Sequence, residues 1–189
     1  METLRFVMTS TFYPPYHIGG DAVHVKLLAG ELAKRGHEVH VMFSRDAYRV
    51  KRKRVPEPMD DGKINVHALD SPYGRLTPMK AYALGNSSFI MGQYRKLVSD
   101  VKPDVVHHHN ISLLGHGLFG KLGDYRQLYT AHDHWLLCQT SNMMMKGKPC
   151  DGNGCVSCAL GSGKPPQLWR RKMKTDGIDC MISPSKYLA

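Results

Sequence analysis

Apolar and polar positions along the chain alternate between two periods. Residues 4–10 form a short apolar run with Phe6 and Val7, and Tyr13-Pro14-Pro15 and Gly19-Gly20 follow it, so the run reads as a buried strand entering a glycine-rich loop. From Asp21 the apolar residues Val25, Leu28, Ala29 and Leu32 recur at spacings of three and four. Lys34, Arg35 and Gly36 close this amphipathic helix with a basic last turn and a glycine stop. Residues 37–43 (HEVHVMF) and 64–69 (INVHAL) alternate as strands do. Between residues 77 and 100 a stripe from Met79 to Val98 predicts one long helix, with Gly85 and Gly92 as candidate kinks and Pro103 as its stop. Val105-Val106 and residues 127–130 are the next two strands, flanking a glycine-rich helical segment over 112–122. A basic helix from Pro165 to Lys174 and a sixth strand at Cys180-Met181-Ile182 end the series.

Strand alternating with helix implies an α/β fold, a Rossmann-like parallel sheet with helices on both faces. At 189 residues the chain has the size of one such domain. Residues 138–164 stand out as a Cys/Gly-rich loop insertion. In parallel sheets of this kind ligands bind beyond the carboxyl ends of the strands, so functional residues are expected just after strands. Ser183-Pro184-Ser185 announces a further helix, and the sequence ends at residue 189 about one turn into it, which suggests a fragment or a split protein.

Composition narrows the class further. Hydrophobic residues are 42% and charged residues 22%, ordinary globular usage that excludes disordered and fibrous classes. Apolar runs fall short of the roughly 18 to 20 residues that cross a bilayer, and the N-terminus has no signal-peptide pattern, which implies a cytoplasmic protein. The formal charge of +10 is concentrated in residues 45–54 (RDAYRVKRKR) and 170–174 (RRKMK). Such runs are either solvated basic loops or sites for phosphates and an anionic membrane surface, here the inner face of the membrane. Nucleic acid is disfavoured because no aromatic stacking platform accompanies them.

Three constellations follow predicted strands: Gly19-Gly20 with the helix from Asp21, then His107-His108-His109-Asn110, then His132-Asp133-His134. A glycine pair opening a helix brings backbone amides and a partial positive charge to a ligand, which suits phosphate. The loop has neither G-x-G-x-x-G nor the Walker pattern, which argues against nicotinamide enzymes and ATPases. Cys138, Cys150, Cys155 and Cys158 offer four soft ligands within 21 positions, and a structural zinc site, free thiols or a redox-labile disulfide all fit that spacing. Cys180 reads as ordinary core.

Phe12-Tyr13-Pro14-Pro15 with Gly19-Gly20, residues 32–39 (LAKRGHEV), residues 102–109 (KPDVVHHH) and Thr130-Ala131-His132-Asp133 stand in fixed order. This series resembles the N-terminal domain of family 4 glycosyltransferases, also called glycosyl transferases group 1, whose architecture is GT-B. The resemblance implies retaining transfer of a sugar from a UDP- or GDP-activated donor to a hydroxyl acceptor, glycan or lipid-linked, between two Rossmann-like domains and without a catalytic metal. It implies that Gly19 and Gly20 lie against the donor diphosphate and that His132, supported by Asp133, lines the sugar pocket at the reacting centre. Asp21, His107, His109 and Asn110 complete the donor- and acceptor-binding set. The C-terminal domain, with a pair of glutamates seven residues apart and the nucleotide pocket, is absent and would be needed in cis or in trans, so this half alone should transfer nothing efficiently.

Two other classes remain open on the residues. A metal-dependent hydrolase would use His107, His109, His132, Asp133 and His134 as ligands, but no carboxylate-rich companion motif accompanies them. A non-catalytic half would bind an acceptor or a membrane and work with a partner chain.

Overall fold

The computed structural model describes residues 2–52, 54, 56–145, 147–150, 152, 154–167, 169–170 and 173–186. Its elements in chain order are β1 (Arg5–Thr9), α1 (Gly20–Lys34), β2 (Glu38–Ser44), α2 (Arg45–Lys51), β3 (Ile64–Leu69), α3 (Leu76–Leu84), α4 (Ser88–Val101) and β4 (Val105–His108). A 3-10 turn (His116–Phe119) leads to β5 (Arg126–Thr130), and then come β6 (Met144–Met145), β7 (Lys148–Pro149), α5 (Cys155–Gly161) and β8 (Cys180–Ile182). Six strands form one parallel sheet in the order β3-β2-β1-β4-β5-β8, while β6 and β7 make a small antiparallel pair. The chain winds outward from β1 to β3 and then crosses back to place β4 beside β1. That reversal opens a crevice beyond the carboxyl ends of β1 and β4.

The pleat divides the core between two faces. On one, Met8, Val39, Val41 and Phe43 bury against Val25 and Ala29 of α1. On the other, Val7, Met42 and Val106 bury against Tyr94, Leu97 and Val98 of α4. The Lys-Pro-Asp sequence before β4 joins that strand to the sheet. Lys102 ends α4 with φ 49°, and the Asp104 carboxylate accepts the Arg5 amide at 2.7 Å, which ties β4 to β1. The loop after β1 is anchored rather than free, since Tyr13 and Tyr16 are buried against Phe43.

The structure departs from the expected elements at five places. Residues 45–51 of the basic run are helix, not loop: Ser44 caps it through Ala47 N at 3.1 Å, and Asp46 and Asp70 hold Arg49 at 2.8 and 2.6 Å. The single long helix is two, because Gly85 takes φ 75° and Ser87 restarts the chain as α4. A Cβ at Gly85 would meet His116, and one at Gly115, where φ is 97°, would lie 2.6 Å from Gly85 O, so the break is locked by close packing. The segment over 112–122 is helical only as the 3-10 turn His116–Phe119. Of the basic helix expected over 165–174, residues 165–167 and 173–174 are irregular and 169–170 are 3-10, with Arg170 against the rings of Trp135 and Trp169; residues 168, 171 and 172 lie outside the described set. Cys180 is exposed rather than core, because β8 is an edge strand whose three residues are all exposed.

Candidate active site

Gly19, Gly20, Asp21, Asn110, His132 and Asp133 line one open cavity of about 480 Å³, together with Phe12 and Ile18. The loop after β1, the end of β4 and the turn after β5 supply them, so three constellations far apart in sequence meet at the crevice where the strand order reverses. His134 is not part of this lining, and its backbone closes the turn: its amide donates to Ser141 O and its carbonyl accepts from Leu137 and Cys138.

At the helix side, Gly19 precedes α1 in extended conformation and no side chain caps the helix. The amides of the first turn therefore face the crevice with the dipole's positive end behind them. A Cβ on Gly20 would find nothing within 4 Å, so its absence leaves ligand-sized room rather than relieving a clash. Asp21 sits in that first turn and its Oδ2 accepts from Asn110 Nδ2 at 2.9 Å, tying α1 to the end of β4. Its charge opposes an anion, whereas Asp21, Asn110 and Asp133 together suit the hydroxyl groups of a sugar. Phosphate is favoured only at the Gly19-Gly20 amides.

The histidine strand divides by the pleat. His107 and His109 face α1, with ring centroids 4.1 Å apart, and His108 faces α4 near Tyr94. His107 Nε2 meets Thr130 Oγ1 at 2.8 Å and His108 Nδ1 meets Thr9 Oγ1 at 2.7 Å, so each is tied to a neighbouring strand. These two histidines and His109 stand behind the cavity rather than in its lining. His109 Nδ1 lies 3.1 Å from Nε2 of His132, so one proton is shared between them and the buried ring aims the cavity-facing one.

Burial holds these imidazoles neutral. Desolvation, reinforced by His24 and His132, brings His107 down to about 4, and desolvation holds His109 well below the ordinary imidazole value. His132 is lowered by burial, against the opposing attraction of Asp21. Asp133 is raised by burial, although its carboxylate accepts the Trp135 amide at 2.8 Å. A neutral imidazole can donate to or accept from a hydroxyl group, and the neighbouring Asp133 carboxylate can accept from one.

Sequence reasoning missed His24. Its ring lies 5.2 Å from that of His132 and 5.8 Å from that of His109. The available signal was its place four residues after Gly20, on the same helix face as the glycine. The cysteine loop is not gathered: Cys138 Sγ meets Thr140 Oγ1 at 3.0 Å, Cys150 Sγ accepts the Gly152 amide and Cys155 Sγ meets Gly152 O. Among the described residues no three of its sulfurs gather into a group that could share one ion in this arrangement.

The family model for Glycosyltransferase Family 4 matches residues 18–189. The chain belongs to this family. It is also similar to an "Uncharacterized 42.6 kDa protein in cps region" of Klebsiella pneumoniae, 26% identical over 98% of this chain and 50% of that protein. The chain thus spans about half the length of that relative. The six-stranded sheet and its crevice are those of a Rossmann-like N-terminal domain of a family 4 glycosyltransferase. No described helix is long and apolar enough to cross a membrane.

Proposed function

We propose that this family 4 domain forms the acceptor-side half of a retaining glycosyltransferase that moves a sugar from a UDP- or GDP-linked donor to a hydroxyl acceptor in polysaccharide biosynthesis. The observation that carries the reading is the convergence of an uncapped helix N-terminus at Gly19-Gly20 with His132, Asp133, Asp21 and Asn110 on one cavity. Sugar transfer through an oxocarbenium-like state needs charge stabilisation on the leaving diphosphate and hydrogen bonds to the sugar more than a strong nucleophile. The helix amides provide the first, and His132 with Asp133 the second. The donor's nucleotide is held by a second Rossmann-like domain, in cis or in trans.

A lipid-linked acceptor fits better than a free glycan. Beside the site, sharing Phe12 with it, a groove of about 640 Å³ is lined by Leu76, Met79, Leu84 and Trp135, with Lys51 and Lys80 at its rim. Apolar walls under lysines match a hydrocarbon chain that carries phosphate. Action at the inner face of the membrane belongs to this reading.

The test is transfer by the chain together with its second domain, using UDP- and GDP-hexoses and a polyprenyl-phosphate-linked acceptor, with the product anomer read by NMR. Retention of the donor's anomeric configuration is expected. Inversion, or nucleotide release independent of His132, would overturn the assignment.

A further inference from the structure

We propose that His24, His109 and His132 form a binding site for one borderline transition-metal ion, Zn²⁺ or Ni²⁺. Each offers a ring nitrogen, and the three nitrogens lie within 4.8 Å of one another. A tetrahedral ion with zinc–nitrogen bonds of roughly 2.0 to 2.1 Å places its ligand atoms about 3.3 Å apart. The His109–His132 pair, at 3.1 Å, is already at that spacing. The third ring, His24, is exposed on α1, so its rotamers are free to bring its nitrogen inward at small cost.

The remaining chemistry agrees. His109 is completely buried, so its Nδ1 is held in place toward His132. An imidazole set selects zinc, nickel or copper over magnesium and calcium, which take oxygen ligands. Asp21 and Asp133 line the adjoining cavity and supply negative charge beside the ion without being needed as ligands.

Binding does not depend on the transfer reaction. Its consequence rests on the glycosyltransferase reading: an ion on His132 withdraws that ring from the sugar and inhibits. The experiment therefore reads binding alone. Zn²⁺ is titrated to two equivalents, enough to fill any thiolate site in the cysteine loop as well, into the chain with ¹⁵N-labelled histidine, and the ring nitrogens are followed by NMR. The expected result is that resonances of His24, His109 and His132 move together, and that His24→Ala, an exposed change that leaves the core intact, weakens this binding at least tenfold. Ring resonances that stay in place, or an affinity unchanged in His24→Ala, would overturn the site.

Discussion

Nδ1 of the buried His109 lies 3.1 Å from Nε2 of the cavity-lining His132, across the gap between the ends of β4 and β5. One ring fixes the other: His109 is buried inside the sheet, and His132 is thereby held toward the cavity it lines. His132→Ala should lower turnover by about 10²-fold or more, the scale of losing one pre-aimed polar group at a reacting centre, while far-UV circular dichroism stays unchanged. Turnover within a few-fold of the parent would remove His132 from the mechanism.

The glycine at the start of α1 separates ligand room from folding. A side chain at Gly20 would meet no protein atom within 4 Å, so Gly20→Val should leave the melting temperature nearly unchanged. The same side chain would intrude on a phosphate at the first-turn amides and raise the donor KM by on the order of tenfold, the equivalent of one lost hydrogen bond. Steady-state kinetics with donor varied checks this, and a KM equal to the parent's would place the diphosphate elsewhere.

The break between α3 and α4 tests the packing argument from the opposite side. At Gly115 the backbone has φ 97° and an added Cβ would sit 2.6 Å from Gly85 O. Gly115→Ala meets both backbone strain and a backbone clash, and should cost roughly 1 to 3 kcal/mol or more. Urea unfolding would show the lowered midpoint; a midpoint equal to the parent's would mean the Gly85 turn can move aside.

How much of this was written in the sequence depended on whether one segment carried the signal. The strands over 64–69 and 180–182 and the helix α1 show their period locally, and the structure has them within a residue or so. Residues 45–51 lack an apolar stripe, and their helix is held by Ser44 and by ion pairs reaching 21 and 25 positions to Asp70, which no local window contains. His24 was invisible for a related reason: on its own helix it is an exposed polar residue, and only the crossover that sets β4 beside β1 brings it to His109 and His132. Cys180 looked apolar and strand-like, and being on the outer edge of the sheet is a property of strand order rather than of composition.

Asp46 carries a stability prediction for the basic helix. Its side chain is 2% exposed and accepts from Arg49 Nη1 at 2.8 Å and from the Ser71 amide at 2.6 Å. Asp46→Ala leaves the Ser71 amide without its acceptor and frees Arg49 from one of its two carboxylates. A loss of about 2 to 4 kcal/mol is expected from breaking a buried, hydrogen-bonded charge, read as a lowered urea midpoint. An effect below about 0.5 kcal/mol would show that water replaces the carboxylate there.

Stability should also fall in acid through His67. Burial, with His40 Nδ1 at 2.9 Å from its Nε2, lowers the pKa of His67, so the folded protein disfavours its proton. The unfolded chain takes that proton near pH 6.5. Below this pH the unfolded state therefore binds more protons than the native one, and stability present above it is lost as pH falls. Other buried histidines act in the same direction, so the informative quantity is a difference: His67→Gln should show a shallower decline of the urea midpoint between pH 8 and 5 than the parent chain. Parallel declines would mean that His67 takes its proton in the folded protein as readily as in the unfolded one, with His40 giving way.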